Sequence, residues 1–262
     1  QMREAAAGRD LVALPRAAVL MLWTAAYLRG DLGPDDAAQM SYGVGRSGPS
    51  GQGEDLFSWM TGLRRLPLAQ LRLVLPAPGR LAGLVGPPAA IGPALEAEQT
   101  IVVTGAGIAD HTLIPLTTAV EHEERPATAV TWMRVPAPMG AHVPPSAGSG
   151  GAREELLHAL RRAAEGSIEL DLVPEEPVES ARIPPTWIST ALPRHLERSS
   201  AHLLVLAART LLLTRGEIEE GHGHTVDLAE ALARRGLLDE LHDAARGALV
   251  EAIDAIMAAE TG

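Results

Sequence analysis

The chain contains no cysteine, no lysine and no asparagine, so all 22 of its positive charges are arginines. These absences exclude a thiolate nucleophile, a Schiff-base lysine, a phosphate loop of the Walker type and N-glycosylation. A chain without cysteine tolerates an oxidising or a reducing compartment equally well. Composition therefore removes several classes of enzyme and modification, and it leaves the compartment open.

Aromatic residues and positive charge are also scarce. The sequence has one Phe, two Tyr and four Trp, and its formal net charge is −11. Nucleic-acid binding needs a basic face and, for single strands, aromatic side chains on which bases stack. We therefore expect an acidic protein without a nucleic-acid partner.

The longest apolar run covers residues 17–28, between Arg16 and Arg29. Twelve helical residues reach about 18 Å, well short of the ~30 Å hydrocarbon core of a membrane. A helix that is apolar on nearly all sides is expected to be buried, and we predict no membrane span. A secretory signal is the lesser alternative, because Glu4 and Asp10 interrupt the basic leader. We expect a cytoplasmic protein.

Composition changes along the chain suggest five regions within its 262 residues. We assign N-terminal helices to 1–42, a Gly/Ser-rich loop to 43–53, a sheet region to 54–143, a second loop to 144–152 and a mainly helical region to 153–262. The length also permits these regions to form one domain overall.

The central region has the pattern of strands joined by turns. Short apolar or alternating runs, punctuated by Gly and Pro, lie at 71–75, 100–104, 111–117 and 127–135. No long helix separates the central runs, which predicts mostly antiparallel pairing. The predicted fold class is α+β, with a small, mostly antiparallel sheet flanked by N-terminal helices and a C-terminal helical layer. We also predict a strand at 167–173 and a break of the last helix at Gly236.

The segment 101–110, IVVTGAGIAD, combines a strand with a G-x-G turn. In a dinucleotide-binding fold such a turn leads a pyrophosphate onto a helix N-terminus. Here Asp110 stands where the third glycine is required, and a second strand follows instead of a helix. The pattern favours a hairpin with the glycines in its turn.

Glu219, Glu220, His222 and His224 form the best candidate for a metal site. Imidazoles and carboxylates are donors that zinc and similar divalent metals accept. The H-x-H spacing differs from the i, i+4 pairs of helical zinc sites, and the competing interpretation is a polar loop between helices. We predict no cofactor, with zinc as the alternative.

Asp110, His111 and His122 are the candidates for acid–base catalysis. A histidine beside a carboxylate can be tuned for proton transfer. His122 belongs to an acidic segment, Glu121 to Glu124, which we interpret as a solvated loop between two strands. The sequence has no G-x-S-x-G element for a serine nucleophile.

One part of the sequence resembles a protein family. Residues 71–79 read LRLVLPAPG, residues 83–87 read GLVGP, and residues 94–98 read ALEAE. This succession resembles a family of uncharacterised proteins from high-GC bacteria, and the resemblance covers mainly residues 71–104. The family has no assigned activity, so the resemblance implies no catalytic residues.

Two functional hypotheses remain open. The first is a non-enzymatic cytoplasmic binding or assembly protein whose partner is another protein or a second copy of itself. The alternative is a hydrolase that uses histidine and carboxylate chemistry, with or without a metal at His222 and His224. Tryptophans can anchor interfaces, but core packing is the favoured interpretation of all four, namely Trp23, Trp59, Trp132 and Trp187.

Overall fold

The computed structural model of the protein describes residues 11–42, 47–49, 53–122, 125–143, 151–169, 183–194, 196–220 and 228–261. The chain divides into two compact units. The first comprises Gln1–Ser146, Pro184–Glu197 and Ile253–Gly262, and the second comprises Ala147–Ile183 and Arg198–Ala252.

The described residues contain seven strands in two sheets. A two-stranded antiparallel sheet pairs β1 with β7, and a five-stranded sheet has the order β2-β6-β5-β4-β3. Every pair in the larger sheet is antiparallel except β2 with β6. The strands are β1 (Val12–Pro15), β2 (Ser47–Pro49), β3 (Gln70–Val74), β4 (Thr100–Gly105), β5 (Ile108–His122), β6 (Arg125–Pro136) and β7 (Trp187–Thr190).

Helices precede, interrupt and follow the larger sheet, which confirms the predicted α+β class. They are α1 (Arg16–Arg29), α2 (Pro34–Ser41), α3 (Leu56–Leu63), α4 (Ile91–Ala97), α5 (Ala152–Glu169), α6 (Arg198–Glu220) and α7 (Leu228–Thr261), with a 3-10 turn at Pro88–Ala90 before α4. None of the helices in the described ranges has the length and apolar composition that a membrane crossing requires.

Helix α1 is the apolar run seen in the sequence, and it is buried from Arg16 to Tyr27. It ends at Gly30, whose positive φ of 88° suits a residue without a Cβ. Its first turn is held by the buried Gln99 side chain, whose Oε1 accepts from the Ala17 N–H at 2.7 Å. The amide of Gln99 also donates to the Thr186 carbonyl at 2.7 Å. The helix is thus an integral part of the core of the first unit.

The two faces of the larger sheet are covered by different elements. Ile114 on β5 packs against Ala90, Ala94 and Ala97 on one face. On the other face, Leu113 and Trp132 are buried, and α1 contacts β3, β4 and β5. Burial on both faces explains why β4 is an uninterrupted apolar run, with Ile101, Val102 and Val103 fully inaccessible.

Strands β4 and β5 form the hairpin that the G-x-G pattern predicts. Ala106 and Gly107 form the turn, with φ angles of 50° and 80°. Positive φ at both central residues defines a type I′ turn, which matches the twist of the flanking strands. The segment therefore continues as a strand, and the dinucleotide interpretation is excluded at this position.

All four tryptophans lie in the core, as predicted. Their exposed fractions are 7% for Trp23, 3% for Trp59, 2% for Trp132 and 8% for Trp187. The indole N–H of Trp23 donates to the Thr190 hydroxyl at 3.3 Å, which ties α1 to β7.

Helices α5, α6 and most of α7 make up the described part of the second unit. Thr214 on α6 and His242 on α7 form a hydrogen bond of 2.9 Å between Oγ1 and Nδ1. The carboxylate of Glu251 accepts from the Ala152 N–H at the start of α5, at 3.0 Å. These two hydrogen bonds join α6 to α7 and the start of α5 to α7.

Three local predictions outside the candidate site residues differ from the structure. The predicted Gly/Ser loop contains the short strand β2, because its backbone pairs with Thr128–Val130 of β6. The predicted strand at 167–173 is wrong for residues 167–169, which continue α5, and its remainder lies outside the described residues. Gly236 does not divide the last helix, since one glycine costs only about 1 kcal/mol within a run of good helix formers.

Candidate functional site

The candidate site lies where α3 meets β5 and β6. His111 of β5 and Trp59 of α3 are both buried, each with 3% of its surface exposed. Their rings meet edge to face, with centroids 6.4 Å apart and an interplanar angle of 84°. Next to His111 the pairing of β4 with β5 shifts register, since Val103 pairs with His111 whereas Thr104 pairs with Ala109. This bulge re-aims the side chains at the beginning of β5.

A close backbone approach positions α3 over the sheet. A Cβ at Gly53 would lie 2.7 Å from Thr131 Cγ2 and 3.2 Å from the Trp132 nitrogen, so only glycine fits without displacement. The next residue, Glu54, donates its N–H to the Trp132 carbonyl at 2.8 Å. The start of α3 is thereby fixed to β6.

Asp55 then caps α3, because its carboxylate accepts the Ser58 N–H at 3.0 Å. Hydrogen bonds from Ser58 lower the pKa of the Asp55 carboxyl below its usual value. One turn further along, Trp59 points its indole at the sheet. The cap and the glycine contact together determine where the indole N–H lies.

The hydrogen bonds of His111 define its tautomer. The indole Nε1 of Trp59 lies 2.8 Å from His111 Nε2, and an indole nitrogen can only donate. Nε2 must therefore be the unprotonated acceptor, which places the ring proton on Nδ1. His111 Nδ1 lies 2.6 Å from Asp110 Oδ2 and donates to it. The imidazole is neutral and has a partner at each nitrogen.

Burial is the main reason that the pKa of His111 lies below its usual value. The guanidinium of Arg134 lowers this pKa further, whereas the hydrogen bond to Asp110 and the negative charges of Asp110 and Glu54 raise it. A second proton would also have to enter between Nε2 and the Trp59 N–H, where two donors would then face each other. Geometry and burial thus favour the neutral ring.

Arg134 of β6 lies between the two carboxylates on the solvent side of the site, those of Asp110 and Glu54. Its Nη2 lies 3.5 Å from Asp110 Oδ2, and its Nη1 lies 3.7 Å from Glu54 Oε1. The side chains of Arg134 and Asp110 are 46% and 38% exposed, so these ion pairs are partly screened by water. The site therefore has a buried neutral part and a solvated charged rim.

The arrangement limits what His111 can do chemically. A general base needs a ring nitrogen within reach of a substrate proton. Here Nε2 accepts from Trp59, Nδ1 donates to Asp110, and the ring is almost fully buried. The exposed group of the predicted pair is the Asp110 carboxylate, which Arg134 accompanies. His111 therefore forms a buried hydrogen-bonded connection between α3 and the sheet.

The structure brings Asp110 and His111 together but not His122. His111 pairs with Pro136 at one end of the β5–β6 hairpin, and His122 pairs with Arg125 at the other. A strand rises about 3.4 Å per residue, so the two histidines lie more than about 30 Å apart. Glu121 and His122 belong to β5 and not to the connecting loop in which we expected them.

The predicted metal ligands lie mostly outside the described residues. Glu219 and Glu220 are the last two residues of α6, and the structure describes their backbone but not their side chains. His222 and His224 lie in the segment that follows, outside the described residues. Among the side chains that the structure describes, no three His, Asp or Glu residues gather in a way that could hold a metal ion.

Sequence reasoning missed three members of the site, namely Trp59, Arg134 and Glu54. Trp59 was predicted only to pack in the core. The sequence did contain one signal of this site: Arg134 is the one charged residue of the predicted strand at 127–135, and it lies near the end of that strand. The strand pattern could have placed it beside Asp110, but the contact with α3 required the tertiary structure.

Comparison with known proteins identifies a family for the first half of the chain. The family described as "Rv1486c-like protein, N-terminal domain" matches residues 17–148, which is half of the chain. This range contains α1 except for its first residue, the larger sheet and all members of the candidate site, and it confirms the family resemblance drawn from residues 71–104. No curated protein and no solved structure matches the chain.

Proposed function

The chain belongs to the family of Rv1486c-like proteins through its N-terminal domain, and we propose that it works as a non-enzymatic binding or assembly protein. The proposed partner is another protein chain. The family description names no activity, so the proposal depends on the geometry of the first unit.

The observation that carries the proposal is a group of exposed apolar side chains beside the β4–β5 turn. Leu68, Ile108 and Met139, which we call the apolar tip, have exposed fractions of 79%, 45% and 104%. The Pro67 carbonyl beside Leu68 accepts the Ala106 N–H at 2.8 Å, and Ile108 forms an isolated bridge with His142. Leu68 and Met139 thus belong to loops, and Ile108 begins β5, all at the same end of the larger sheet.

Leu68 is placed there at a cost to folding. Its φ of 48° lies in the left-handed region, which costs a residue with a Cβ about 1–2 kcal/mol. Glycine or asparagine would adopt this conformation more easily, and the leucine gains little burial in return. A strained backbone that presents an exposed apolar side chain supports a role in contact with another molecule.

The state of the best acid–base pair also supports a non-enzymatic role. A hydrolase of the kind weighed from the sequence would need a ring nitrogen open to substrate. The two nitrogens of His111 are instead paired with Trp59 and Asp110. No specific observation favours the hydrolase alternative.

We propose a cytoplasmic location for the protein. The support for this location is that the apolar run of residues 17–28, which could have served as a secretory signal, is the buried core helix α1. Removing it would open the core of the first unit, so the run has a structural role in the folded protein.

Site-specific photo-crosslinking in the native host tests the binding proposal. A photoreactive residue at Met139 should capture a discrete partner, whereas the same residue at the exposed Asp35 of α2 should not. The partner is then purified, and its dissociation constant is measured against the wild type and the double variant Leu68→Ser, Met139→Ser. We expect at least about tenfold weaker binding by the variant, since two apolar contacts are lost.

Two results would contradict the proposal. The first is a failure of the apolar tip in either assay: the same crosslinked products from Met139 and Asp35, or the same dissociation constant for the wild type and the double variant. The second is a hydrolytic activity of the purified protein that disappears in a folded His111→Gln variant.

A further inference from the structure

The β5–β6 hairpin extends beyond the rest of its sheet. Strand β4 pairs with β5 only as far as Leu113, whereas β6 pairs with β5 up to His122. From Pro115 onward, no other strand in the described part of the chain pairs with the second side of β5. Residues 118–121 are exposed at every position, although side chains of a strand point alternately to opposite faces. We call residues 115–121 of β5 the free edge.

The direction of the backbone groups follows from the hydrogen-bond pattern. The Ala137 N–H donates to the Asp110 carbonyl at 2.9 Å, so the even-numbered positions of β5 bond toward β6. Odd-numbered positions then point away from β6, because antiparallel pairs alternate. The prolines of β5 and β6 agree with this assignment, because each lies in a pair that contains an odd-numbered β5 residue and therefore needs no N–H between the two strands. These pairs are His111 with Pro136, Pro115 with Trp132, and Glu121 with Pro126.

Thr117, Ala119 and Glu121 consequently direct an N–H and a C=O outward along the free edge. Unpaired strand edges recruit other strands, and monomeric proteins usually block them with proline, lysine or a bulge. Pro115 and Glu121 stand at the two ends of the free edge, whereas residues 116–120 between them read LTTAV, without proline or charge, and their pairing with β6 is regular. The β-branched residues in this segment favour strand pairing.

We propose that the free edge pairs in antiparallel orientation with the free edge of a second copy of the chain, with the two-fold axis at Ala119. This inference rests on the proposed function as an assembly protein and names a partner for it. Ala119 then lies opposite the partner's Ala119, and Thr117 opposite the partner's Glu121. Strands β2, β6 and β5 of the two copies then form one continuous six-stranded sheet across the interface.

Electrostatics and side-chain type favour a second copy as the occupant. Glu121 is the one charged residue of the free edge, and this register places it opposite a threonine instead of another carboxylate. On the other face of the new pair, Thr118 lies opposite the partner's Val120, a pair of β-branched side chains. The acidic chain can therefore pair with itself without opposing like charges across the strands. The two-fold arrangement also closes, since each copy uses its free edge once.

Disulfide crosslinking tests the register, because the chain has no cysteine of its own. Directly opposite residues in a hydrogen-bonded pair have Cα atoms about 5.5 Å apart, within the range that a disulfide spans. Ala119→Cys should therefore yield a covalent dimer under mild oxidation. Glu121→Cys alone should not, whereas a mixture of Thr117→Cys and Glu121→Cys chains should yield a mixed dimer.

A second experiment removes the pairing without disturbing the hairpin. Ala119→Pro deletes an outward N–H, as Pro115 already does, and it leaves the bonds to β6 intact. In sedimentation equilibrium we expect the wild type at twice its 27.5 kDa chain mass and Ala119→Pro at the single mass. Ala119→Val, which keeps the N–H, should remain dimeric. Far-ultraviolet circular dichroism checks that the variants are folded.

The outcomes separate this inference from the proposed function. A wild type that is monomeric at about 100 µM, where even a weak interface with a Kd of about 10 µM is populated, would overturn the second copy as partner. So would a dimer that Ala119→Pro leaves unchanged, or equal crosslinking by Ala119→Cys and Glu121→Cys. A heterologous strand that binds the wild type and not Ala119→Pro would assign the edge to another protein. The apolar tip is tested by its own variants, which should leave the dimer intact.

Discussion

The indole nitrogen of Trp59 lies 2.8 Å from Nε2 of His111 and donates its hydrogen to it. This one bond decides the tautomer of the histidine and assigns its second nitrogen to Asp110. It also joins α3 to the sheet through two buried side chains.

Trp59→Phe should destabilise the fold by about 1–3 kcal/mol, because it leaves the buried Nε2 of His111 without a donor. Chemical unfolding followed by circular dichroism measures the change in free energy. Trp23→Phe is the matched control. The Thr190 hydroxyl that Trp23 contacts also donates to the Ala191 carbonyl at 3.2 Å, so this substitution should cost less. Equal destabilisation by the two substitutions would show that the bond to His111 has no special weight.

The stability of the protein should fall as the pH decreases below about 6.5. Burial lowers the pKa of His111 in the folded state, whereas the unfolded histidine has a pKa near 6.5. The unfolded chain therefore binds more protons in the window between these two values. The contribution of His111 is fully present above about pH 6.5 and is lost as the pH falls toward the folded pKa, with a slope of at most about 1.4 kcal/mol per pH unit.

Unfolding curves of the wild type and His111→Gln between pH 5 and 8 isolate this contribution from that of the other titrating groups. The difference between the two free energies of unfolding should shrink toward acid pH. An NMR titration in which the His111 ring protonates at or above pH 6.5 would contradict the prediction.

The type I′ turn of the β4–β5 hairpin gives a test of local strain. Ala106 has a φ of 50°, so Ala106→Gly should stabilise the protein by about 0.5–1 kcal/mol. Gly107→Ala should destabilise it by about 1 kcal/mol. A Cβ at Gly107 would meet no atom within 4 Å, so the second effect comes from its φ of 80° alone. Urea midpoints that move in the same direction for both variants would refute this account of the turn.

The protein should fold and melt independently of zinc. His222 and His224 are separated by a single residue, which does not match the helical i, i+4 spacing of zinc ligands. Elemental analysis should find no bound metal, and added zinc should leave the melting temperature unchanged, because a ligand that binds the native state would raise it. A rise that disappears in the double variant His222→Ala, His224→Ala would instead assign a metal site to this segment.

Local sequence patterns correctly predicted the fold class, the buried helix α1, four strands of the larger sheet and the hairpin whose turn is formed by Ala106 and Gly107. These features depend on local periodicity, on turn residues and on the length of apolar runs, all of which can be read along the chain. The same local patterns predicted a helix break at Gly236, which was wrong. The free-energy cost of one glycine in a helix is small compared with the helix propensity of the flanking residues.

The roles of the candidate residues depend on contacts between segments that are distant in the sequence. Asp110 and His111 are neighbours in the sequence, but the indole of Trp59 that donates to His111 comes from α3. The close approach of Gly53 to β6 positions that helix. The free edge of β5 likewise depends on where β4 ends relative to β6. Contacts between distant segments are fixed by packing and register, which no single stretch of sequence contains.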